Sequence, residues 1–353
     1  MPCSVCGAVR SVACIITGLI LASCGGGGSS GTSDQNLSGA LPPASSRSPV
    51  SSQRLYAPAY LQQGLLIYAA DASGNVAPIN TISGPLTELL NPFDAALDSK
   101  GTIYVSNLGG TIEAYNSTAT GNTVPVRSFG SGSVGVAIDR ANNLYATRRY
   151  KGDEVVHEVD VYAPGSNTPV RSIVGKNTGL AFPTGVAVGA DGKIYVANAG
   201  SGPCGTFGSI TVYAAGASGN VSPIESIGGS QHSAIFYPEG IAVDPNGNVY
   251  VSTPDIAAIL VFAPGANGDV APIAQIQVPT PTSALNAGNA GLALDADGNI
   301  YVSSESVNDN QTTGQILVYP PLADLLPDRL TQPTRVINGS RTGLGSPTLI
   351  AIH

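Results

Sequence analysis

The densest group of charged side chains in this chain lies at residues 148–158, in the stretch RRYKGDEVVHE. Only 11% of all residues are charged, so this stretch differs sharply from its surroundings. Arg148 and Arg149 could hold a carboxylate or phosphate, because a guanidinium donates paired hydrogen bonds to such anions. Tyr150 and His157 lie in the same stretch. It is either a ligand-contacting flap or a solvated hairpin extension, and the sequence leaves both open.

Other aromatic and histidine side chains lie in irregular stretches between strand-like segments. Loops on a rigid scaffold commonly carry binding residues, so these side chains are candidate ligand contacts. They are Tyr60, Phe207, His232, Phe236 and Tyr237.

Familiar catalytic and nucleotide-binding motifs do not occur in the sequence. It contains no Gly-x-Ser-x-Gly elbow, no His-Glu-x-x-His pair and no phosphate-binding glycine loop that opens a helix. Asp295, Asp297 and Asn299 resemble the start of a calcium loop, but its twelfth position is Ser306, with Glu305 beside it. Similar turns recur as DSKGT, DRANN and DPNGN, which favours a hairpin turn. A net charge of −8 also argues against nucleic-acid binding.

Residues 1–23 have the composition of an export signal. An apolar run from Val12 to Ala22 follows the basic residue Arg10 and is too short for a comfortable membrane span. The run ends in Leu-Ala-Ser-Cys, which resembles a bacterial lipobox. Cys24 is therefore predicted to be lipidated and to become the mature N-terminus. We expect an exported protein anchored in the bacterial cell envelope, at the outer membrane or on the periplasmic side in a diderm host.

Residues 24–53 consist mostly of Gly, Ser, Pro and Ala, a composition that predicts a flexible tether. Of the five cysteines, three precede Cys24 and leave with the signal. Acylation of Cys24 would leave Cys204 alone, so no intramolecular disulfide is predicted. As a free exported thiol, Cys204 is either merely tolerated or reactive.

Short repeated strand patterns organise residues 54–353. One pattern is of the type IYVS and another of the type ITVYA, and each occurs six times at a spacing of about 50 residues. An apolar segment such as GIAVD precedes most copies of the first, and a segment such as PIESI follows the second. We name these four strands a, b, c and d in chain order. Turn signals separate them, with Asp-x-x-Gly-Asn between a and b and Gly-Asn-x-x-Pro between c and d.

Four short antiparallel strands per repeat predict an all-β fold, a six-bladed β-propeller. Strand a occurs only five times within the body, and the first blade begins at strand b. The missing copy is TLIAIH, so residues 348–352 are predicted to pair with the N-terminal blade and close the ring. Eleven of the 14 tyrosines fall at repeat positions in strands b and c, which assigns them to the core.

The strings GIAVDPNGNVYVS and ITVYAAGASGNVSPI resemble the NHL-repeat family of six-bladed propellers, over residues 54–353. That family includes protein- and RNA-binding modules, extracellular sensor domains, and enzymes similar to gluconolactonase or peptidylamidoglycolate lyase. The resemblance therefore specifies the fold far better than the function. It implies that an enzyme of this type would hold a divalent metal in the central channel, with carboxylate, Asn or His ligands.

Few residues leading into strand a could serve as such ligands. Asp94 and Glu239 are the carboxylates among them, and they lie three blades apart, which would place them opposite each other across the channel. Two opposed carboxylates could hold a metal or act as acid and base. Because the neighbouring positions offer no further good ligand, both residues are weak candidates.

Blade geometry divides the connections between two faces. The a–b and c–d turns form one, here the turn face, and the b–c and d–a loops form the other, here the loop face. The loops vary in length and carry the candidate ligand contacts. We therefore predict a non-catalytic binding or scaffolding module whose loop face contacts a protein, peptide or glycan in the envelope.

The alternative function is that of a metal-dependent lactonase, hydrolase or lyase with its site in the central channel. In either case we expect a monomeric propeller, a membrane contact through the lipid on Cys24, and no nucleic-acid partner. No cofactor is expected beyond the divalent metal that the enzyme alternative would need.

Overall fold

A computed structural model describes residues 53–200, 207–279, 291–308, 311–326 and 331–353. These residues form six four-stranded antiparallel sheets with almost no helix, which confirms the predicted six-bladed β-propeller. We number the sheets as blades 1 to 6 in chain order. In every blade the strands are hydrogen-bonded in the order a, b, c, d.

The strands of blades 1 to 3 are short, except in one hairpin of blade 3. Strands b to d of blade 1 are β1 (Arg54–Ala59), β2 (Gly64–Ala69) and β3 (Asn80–Ser83). Blade 2 consists of β4 (Pro92–Leu97), β5 (Ile103–Asn107), β6 (Ile112–Tyr115) and β7 (Arg127–Phe129). Blade 3 consists of β8 (Ser133–Ile138), β9 (Leu144–Lys151), β10 (Glu154–Tyr162) and β11 (Arg171–Val174).

Blades 4 to 6 repeat this arrangement. Blade 4 consists of β12 (Pro183–Val188), β13 (Ile194–Asn198), β14 (Ser209–Tyr213) and β15 (Glu225–Gly228). Blade 5 consists of β16 (Ile241–Val243), β17 (Val249–Thr253), β18 (Ala258–Phe262) and β19 (Ala274–Gln277). Blade 6 consists of β20 (Leu292–Leu294), β21 (Ile300–Asn308), β22 (Gln311–Tyr319) and β23 (Arg335–Asn338), and β24 (Ala351–Ile352) is strand a of blade 1.

Two short 3-10 helices complete the secondary structure of the described residues, at Pro254–Ile256 and Leu322–Asp324. Across the described ranges, none of the helices has the length and apolar character needed to cross a membrane.

The repeat tyrosines of strands b and c lie in the core, as predicted. All eleven are at most 6% exposed. In blade 2, Tyr104 of strand b is paired with the small Ala96 of strand a. Tyrosines of strand c reach the preceding blade, as where the Tyr213 hydroxyl donates to the Thr178 carbonyl at 2.6 Å. These side chains therefore join blades as well as filling them.

The Asp residues of the a–b turns act as hairpin residues. Oδ1 of Asp295 accepts the N–H groups of Asp297 (3.0 Å) and Asn299 (2.8 Å), and Oδ2 accepts the Asn299 amide at 2.7 Å. Asp98, Asp139 and Asp244 make equivalent bonds to backbone N–H groups two and four residues further on. The Asp295 carboxylate, which resembled a calcium ligand, therefore accepts hydrogen bonds from its own turn instead.

The c–d connections do more than turn the chain. In blade 2, Gly121 forms a parallel bridge with Ile82 of the preceding blade. Oδ1 of the next residue, Asn122, accepts the N–H of Leu86 at 2.8 Å. The Asn122 side chain lies on Gly84, which has a φ of 124°, and a Cβ there would come within 2.6 Å of it. The Gly-Asn motif of this c–d connection thus bonds blade 2 to blade 1, the preceding blade.

The ring closes through β24, as predicted. Strand β24 pairs antiparallel with β1, with Leu55 opposite Ile352 and Tyr56 opposite Ala351. The N–H of Arg54 donates to the His353 carbonyl at 2.7 Å, and the N–H of His353 donates back at 3.0 Å. The regular ladder is shorter than the predicted span. Before it, the N–H of Thr348 donates to the Pro58 carbonyl of blade 1 at 3.1 Å, and the N–H of Leu349 donates to the Phe93 carbonyl of blade 2 at 2.9 Å.

Candidate functional site

Two hairpins on the loop face are longer than the others. Strands β9 and β10 of blade 3 and β21 and β22 of blade 6 have eight or nine residues, whereas strands b and c of the other blades have four to six. Blades 3 and 6 are half a turn apart in a ring of six. The two long hairpins therefore stand on opposite sides of the channel mouth.

The central channel itself is narrow. A cavity of about 60 Å³ lies on the axis and is lined by residues of all six blades. Gly135, Gly185 and Gly291 permit this close approach, because a Cβ at each position would lie 2.3–2.4 Å from a carbonyl oxygen of the next blade. Such a cavity has room for a few water molecules only.

Asp94 lines this axial cavity at the position where blades 3 to 6 have glycine. Its Oδ1 accepts the N–H of Ala95 at 2.7 Å, and its Oδ2 accepts the N–H of Val136 in blade 3 at 2.8 Å. Burial raises the pKa of Asp94 to about 8, although both N–H groups act to lower it. The carboxyl therefore links blades 2 and 3 at the axis.

Hydroxyl groups of strand b also join neighbouring blades around the channel. In each blade we call the position of Asp94 or its equivalent the axial position, and the residue just before it the lead residue. In three blades the hydroxyl of strand b donates to the carbonyl of the lead residue in the next blade. These bonds run from Ser106 to Val134 (2.5 Å), from Thr147 to Thr184 (2.5 Å) and from Ser303 to Thr348 (2.6 Å).

In two blades the lead residue supplies this hydroxyl itself. Strand b of blade 4 has Ala197 instead of Ser or Thr, and the Thr184 hydroxyl donates to the Pro238 carbonyl of blade 5 at 2.8 Å. Blade 1 has proline there, and the Thr348 hydroxyl lies 3.3 Å from the Pro92 carbonyl of blade 2. The side chains of these lead residues thus belong to the ring of inter-blade bonds.

Glu239 is the lead residue of blade 5, and its side chain makes no such bond to any residue that the structure describes. The side chain is buried, with the residue 8% exposed, and Oε2 has no hydrogen-bond partner among the described residues. Burial raises the pKa of Glu239 to about 7; Arg149 lowers it, while Asp255 and Glu305 raise it further. Glu239 does not line the axial cavity next to Asp94. Their joint role in catalysis or metal binding stays a prediction.

Arg149, whose charge acts on Glu239, is held by blade 4. Its Nε donates to the Pro183 carbonyl at 2.9 Å, and its guanidinium lies 5.7 Å from the Phe182 ring centroid. The His157 ring lies 5.3 Å from the same phenyl ring. Burial lowers the pKa of His157, and the charge of Arg149 lowers it further against the effect of a backbone hydrogen bond. This imidazole therefore favours its neutral form.

Two more carboxylates lie near Glu239. Glu305, on the long hairpin of blade 6, is half-buried; its Oε1 accepts the Ser346 hydroxyl, and burial raises its pKa to about 7. Asp255 follows strand b of blade 5 and is exposed. We call Glu239, Asp255 and Glu305 the acidic mouth.

The structure treats the two predicted arginines differently. The Nε of Arg148 donates to the Ser131 carbonyl at 2.6 Å, and its Nη1 lies 3.1 Å from Glu158 and 2.9 Å from Asp160. The Arg148 guanidinium is therefore already bonded to groups of the protein itself. Arg149 forms no ion pair with another described residue.

The other predicted contacts are distributed around the loop face. Phe207 and Phe236 contact each other, with ring centroids 4.8 Å apart. Tyr150 is 39% exposed, and His232 is exposed as well. Tyr60 and Tyr237 are half-buried.

Sequence reasoning missed Phe182 and did not assign Asp255 or Glu305 to a site. A signal for Phe182 was present, because Phe182-Pro183 aligns with Tyr237-Pro238 just before strand a. Both aromatic residues have a left-handed backbone, with φ of 50° and 43°. Bulky residues rarely adopt this conformation, and residues held in it cluster at functional sites.

Several expectations lie outside the described residues or find no test there. No group of three or more His, Cys, Asp or Glu side chains within the described ranges is arranged to hold a metal ion. The signal peptide, the tether up to residue 52, Cys24 and Cys204 lie outside those ranges.

Comparisons with known proteins agree with the fold. Residues 227–252 match a family model described as "SBBP: Beta-propeller repeat". A protein of unknown function from Bacteroides caccae has a similar structure, with a TM-score of 0.59 and 11% identity over 85% of this chain and 98% of that one. A search of curated proteins finds no match. At such low identity the structural likeness shows the fold alone: the chain is a six-bladed β-propeller, and membership of the NHL family stays a prediction.

Proposed function

We propose that this propeller is a non-catalytic binding or scaffolding module, displayed in the bacterial cell envelope on a lipid attached to Cys24. Its ligand, a protein, peptide or glycan of the envelope, contacts the loop face between the long hairpins of blades 3 and 6. The lipobox-like sequence and the tether composition support the anchor, since about 28 flexible residues span roughly 30 Å.

The observation that carries the binding role is the pair of long b–c hairpins on the loop face, whose strands have eight or nine residues in blades 3 and 6. On the turn face, hairpin Asp residues satisfy their own backbone, as Asp244 does for Asn246 and Asn248. At the loop-face mouth, Glu239 keeps a buried carboxylate oxygen that no described group satisfies. An orphaned buried polar atom costs free energy, and a ligand that donates a hydrogen bond to this oxygen would recover part of that cost.

Photo-crosslinking in intact envelopes tests the proposed face. A photoreactive phenylalanine analogue would replace Tyr150 or His232 on the loop face, and Asn246 on the turn face as the matched control. All three positions are exposed, so the substitutions should leave the fold intact. We expect a discrete crosslinked product from the loop-face positions and none from Asn246.

Two results would contradict this proposal. Crosslinking from Asn246 alone would place the ligand on the turn face instead of the loop face. Turnover of a lactone or related substrate by the purified full chain, lost on removal of divalent metal, would replace the binding role with the enzyme alternative.

A further inference from the structure

An exposed aliphatic side chain recurs at one position in five of the six blades. This position directly follows the proline that ends the c–d connection, so it lies at the turn end of the outer edge. Its N–H donates to a carbonyl of strand c at 2.7–2.8 Å, and its side chain is 49–58% exposed. We call the residues at this position the apolar rim: Ile79, Val126, Val170, Ile224 and Ile273.

The structure of strand d does not require an aliphatic residue at the rim position. Strand d is the outer edge of each blade, and edge strands are commonly protected by charged side chains. The next residue of the same strands varies, because it is Asn80, Arg127, Arg171, Glu225 or Ala274. Strand d therefore tolerates polar residues beside the rim. About half of each rim side chain faces solvent, so core packing does not account for it either.

The distribution of exposed apolar side chains differs between the two faces. On the loop face of the described residues they are confined to blades 1 to 3 and the loops between them, at Leu61, Leu86, Leu90, Tyr150, Val155 and Val174. The apolar rim instead passes around blades 1 to 5, and Leu326 in the c–d connection of blade 6 is 61% exposed. A compact ligand covers one sector of such a ring, whereas a flat surface can contact all of it.

The tether joins the propeller on the face that carries the rim. Strand b runs from the turn face to the loop face, so Arg54 at the start of β1 lies at the turn end of blade 1. His353 is bonded to Arg54 at the same end. A lipid on Cys24 would hold the propeller near a membrane by this face. Tethering raises the local concentration, so several weak apolar contacts are then enough for docking.

The charges on the turn face limit how deep such a contact can be. The a–b turns carry exposed side chains of both signs, including Lys100, Arg140, Asp191 and Asp297. Charged groups are costly in the hydrocarbon core but are well solvated among lipid head groups. The rim can therefore reach the boundary between head groups and acyl chains, and the turns stay in the head-group layer.

We propose that the apolar rim rests on the lipid surface to which Cys24 is anchored, so that the loop face points away from the membrane and toward its ligand. The aliphatic side chains of blades 1 to 5 make the contact at the interface. This inference rests on the proposed lipid anchor and adds the orientation of the propeller.

Tryptophan fluorescence in vesicles tests the orientation. The chain contains no tryptophan, so one introduced residue reports a single position. Val170→Trp and Ile224→Trp probe the rim, and Leu90→Trp, where the leucine is 64% exposed on the loop face, is the matched control. The lipidated full chain is reconstituted in phosphatidylcholine vesicles with or without brominated acyl chains. Bromine should lower the rim emission by at least about twofold, because these side chains lie beside the acyl chains, and should leave the control unchanged.

Aspartate substitutions test the rim as a set. In the Ile224→Trp protein, the combined changes Ile79→Asp, Val126→Asp and Val170→Asp should abolish quenching, because carboxylates leave the interface. The control combines Leu61→Asp, Leu90→Asp and Val155→Asp on the loop face and should keep the quenching. All six positions are exposed, and melting curves check that both proteins fold. If the rim triple variant does not fold, the single-tryptophan proteins decide.

The proposal is overturned if bromine leaves the rim emission unchanged, if it quenches Leu90→Trp equally, or if the folded rim triple variant is still quenched. Flotation of the same vesicles separates docking from anchoring. Protein that floats with the vesicles without quenching at the rim refutes the docking and leaves the lipid anchor standing. Protein that does not float refutes both, while crosslinking from Tyr150 and His232 still reports the loop-face function.

Discussion

At the axis, blade 2 has Asp94 at the position where blades 3 to 6 have glycine. The residue is 6% exposed, and its two oxygens accept N–H groups from blades 2 and 3. Burial disfavours its charged form more than those bonds favour it, so the pKa rises to about 8. A side chain that links two blades therefore also binds a proton more tightly after folding.

The raised pKa of Asp94 predicts that stability depends on pH. An unfolded Asp ionises near its ordinary pKa of 3.8, whereas the folded carboxyl holds its proton up to about 8. The folded state thus binds more protons between these values, and the free energy of unfolding should fall as pH rises through this window. Chemical denaturation at several pH values measures this slope.

The matched variant for this prediction is Asp94→Asn, which cannot titrate. Its slope should be smaller but not zero, because Glu239 and Glu305, each with a pKa of about 7, contribute in the same direction. A variant with the same slope as the parent would show that the Asp94 carboxyl is already ionised in the folded state.

A second prediction at the residue scale concerns the predicted lipid on Cys24. Replacing it by Ser, which cannot be acylated through sulfur, should move the protein from the membrane fraction to the soluble exported fraction. Fractionation of envelopes and mass spectrometry of the mature N-terminus measure the outcome. A Cys24→Ser protein that remains in the membrane fraction would contradict the lipoprotein assignment.

At the scale of elements, the c–d connections stabilise the contact between blades. The Asn that follows the positive-φ glycine reaches the d–a loop of the preceding blade in three places. Asn122 accepts the N–H of Leu86, Asn220 that of Asn177, and Asn75 that of Arg341, at 2.7–2.8 Å. A motif that predicts a turn from sequence thus also fixes how two blades meet.

This arrangement predicts a measurable loss in the variant Asn122→Ala. Removing the side chain leaves the Leu86 N–H without its acceptor, which should lower the free energy of unfolding by about 1 kcal/mol. Thermal or urea denaturation measures the change. Asn246→Ala is the control, since its exposed turn position uses only the backbone N–H for its bond to Asp244. Equal effects in the two variants would refute a specific inter-blade role for Asn122.

At the scale of the whole molecule, blades 1 and 6 meet through contacts distant in sequence. Asn75 accepts the N–H of Arg341 at 2.7 Å, and Nη1 of Arg335 donates to the Ala70 carbonyl at 2.5 Å. Strand β24 completes blade 1 from the other end of the propeller. Closing a loop of about 300 residues costs conformational entropy, so these contacts are expected to form late in folding.

Deletion of residues 348–353 should therefore abolish the cooperative melting transition. It removes strand a of blade 1, together with the buried side chains of Leu349 and Ile350, and leaves the edge of β1 exposed. Scanning calorimetry measures the transition. His353→Ala is the control, because the bonds of His353 to Arg54 involve only its backbone. A deletion variant that melts like its parent would contradict the role of β24 in closing the ring.

The sequence by itself determined the six blades, the order of their strands and the closing strand. Period-two apolar strands and turn residues are local signals. Because they repeat, counting them showed that one copy of strand a was missing from the body of the sequence. The tyrosines and the Asp residues of the a–b turns in blades 2, 3, 5 and 6 were assigned correctly for the same reason, since their partners lie within the repeat or at a constant offset from it.

The acidic mouth was decided by the tertiary structure alone. The charges of Asp255 in blade 5, Arg149 in blade 3 and Glu305 in blade 6 all act on the pKa of Glu239, and no local spacing relates these positions. The same holds for Arg148, which is taken up by Glu158 and Asp160 while its neighbour Arg149 crosses toward blade 4. Loop lengths and the angle between blades set such distances, and burial then sets the pKa values, so both emerge only when the ring is closed.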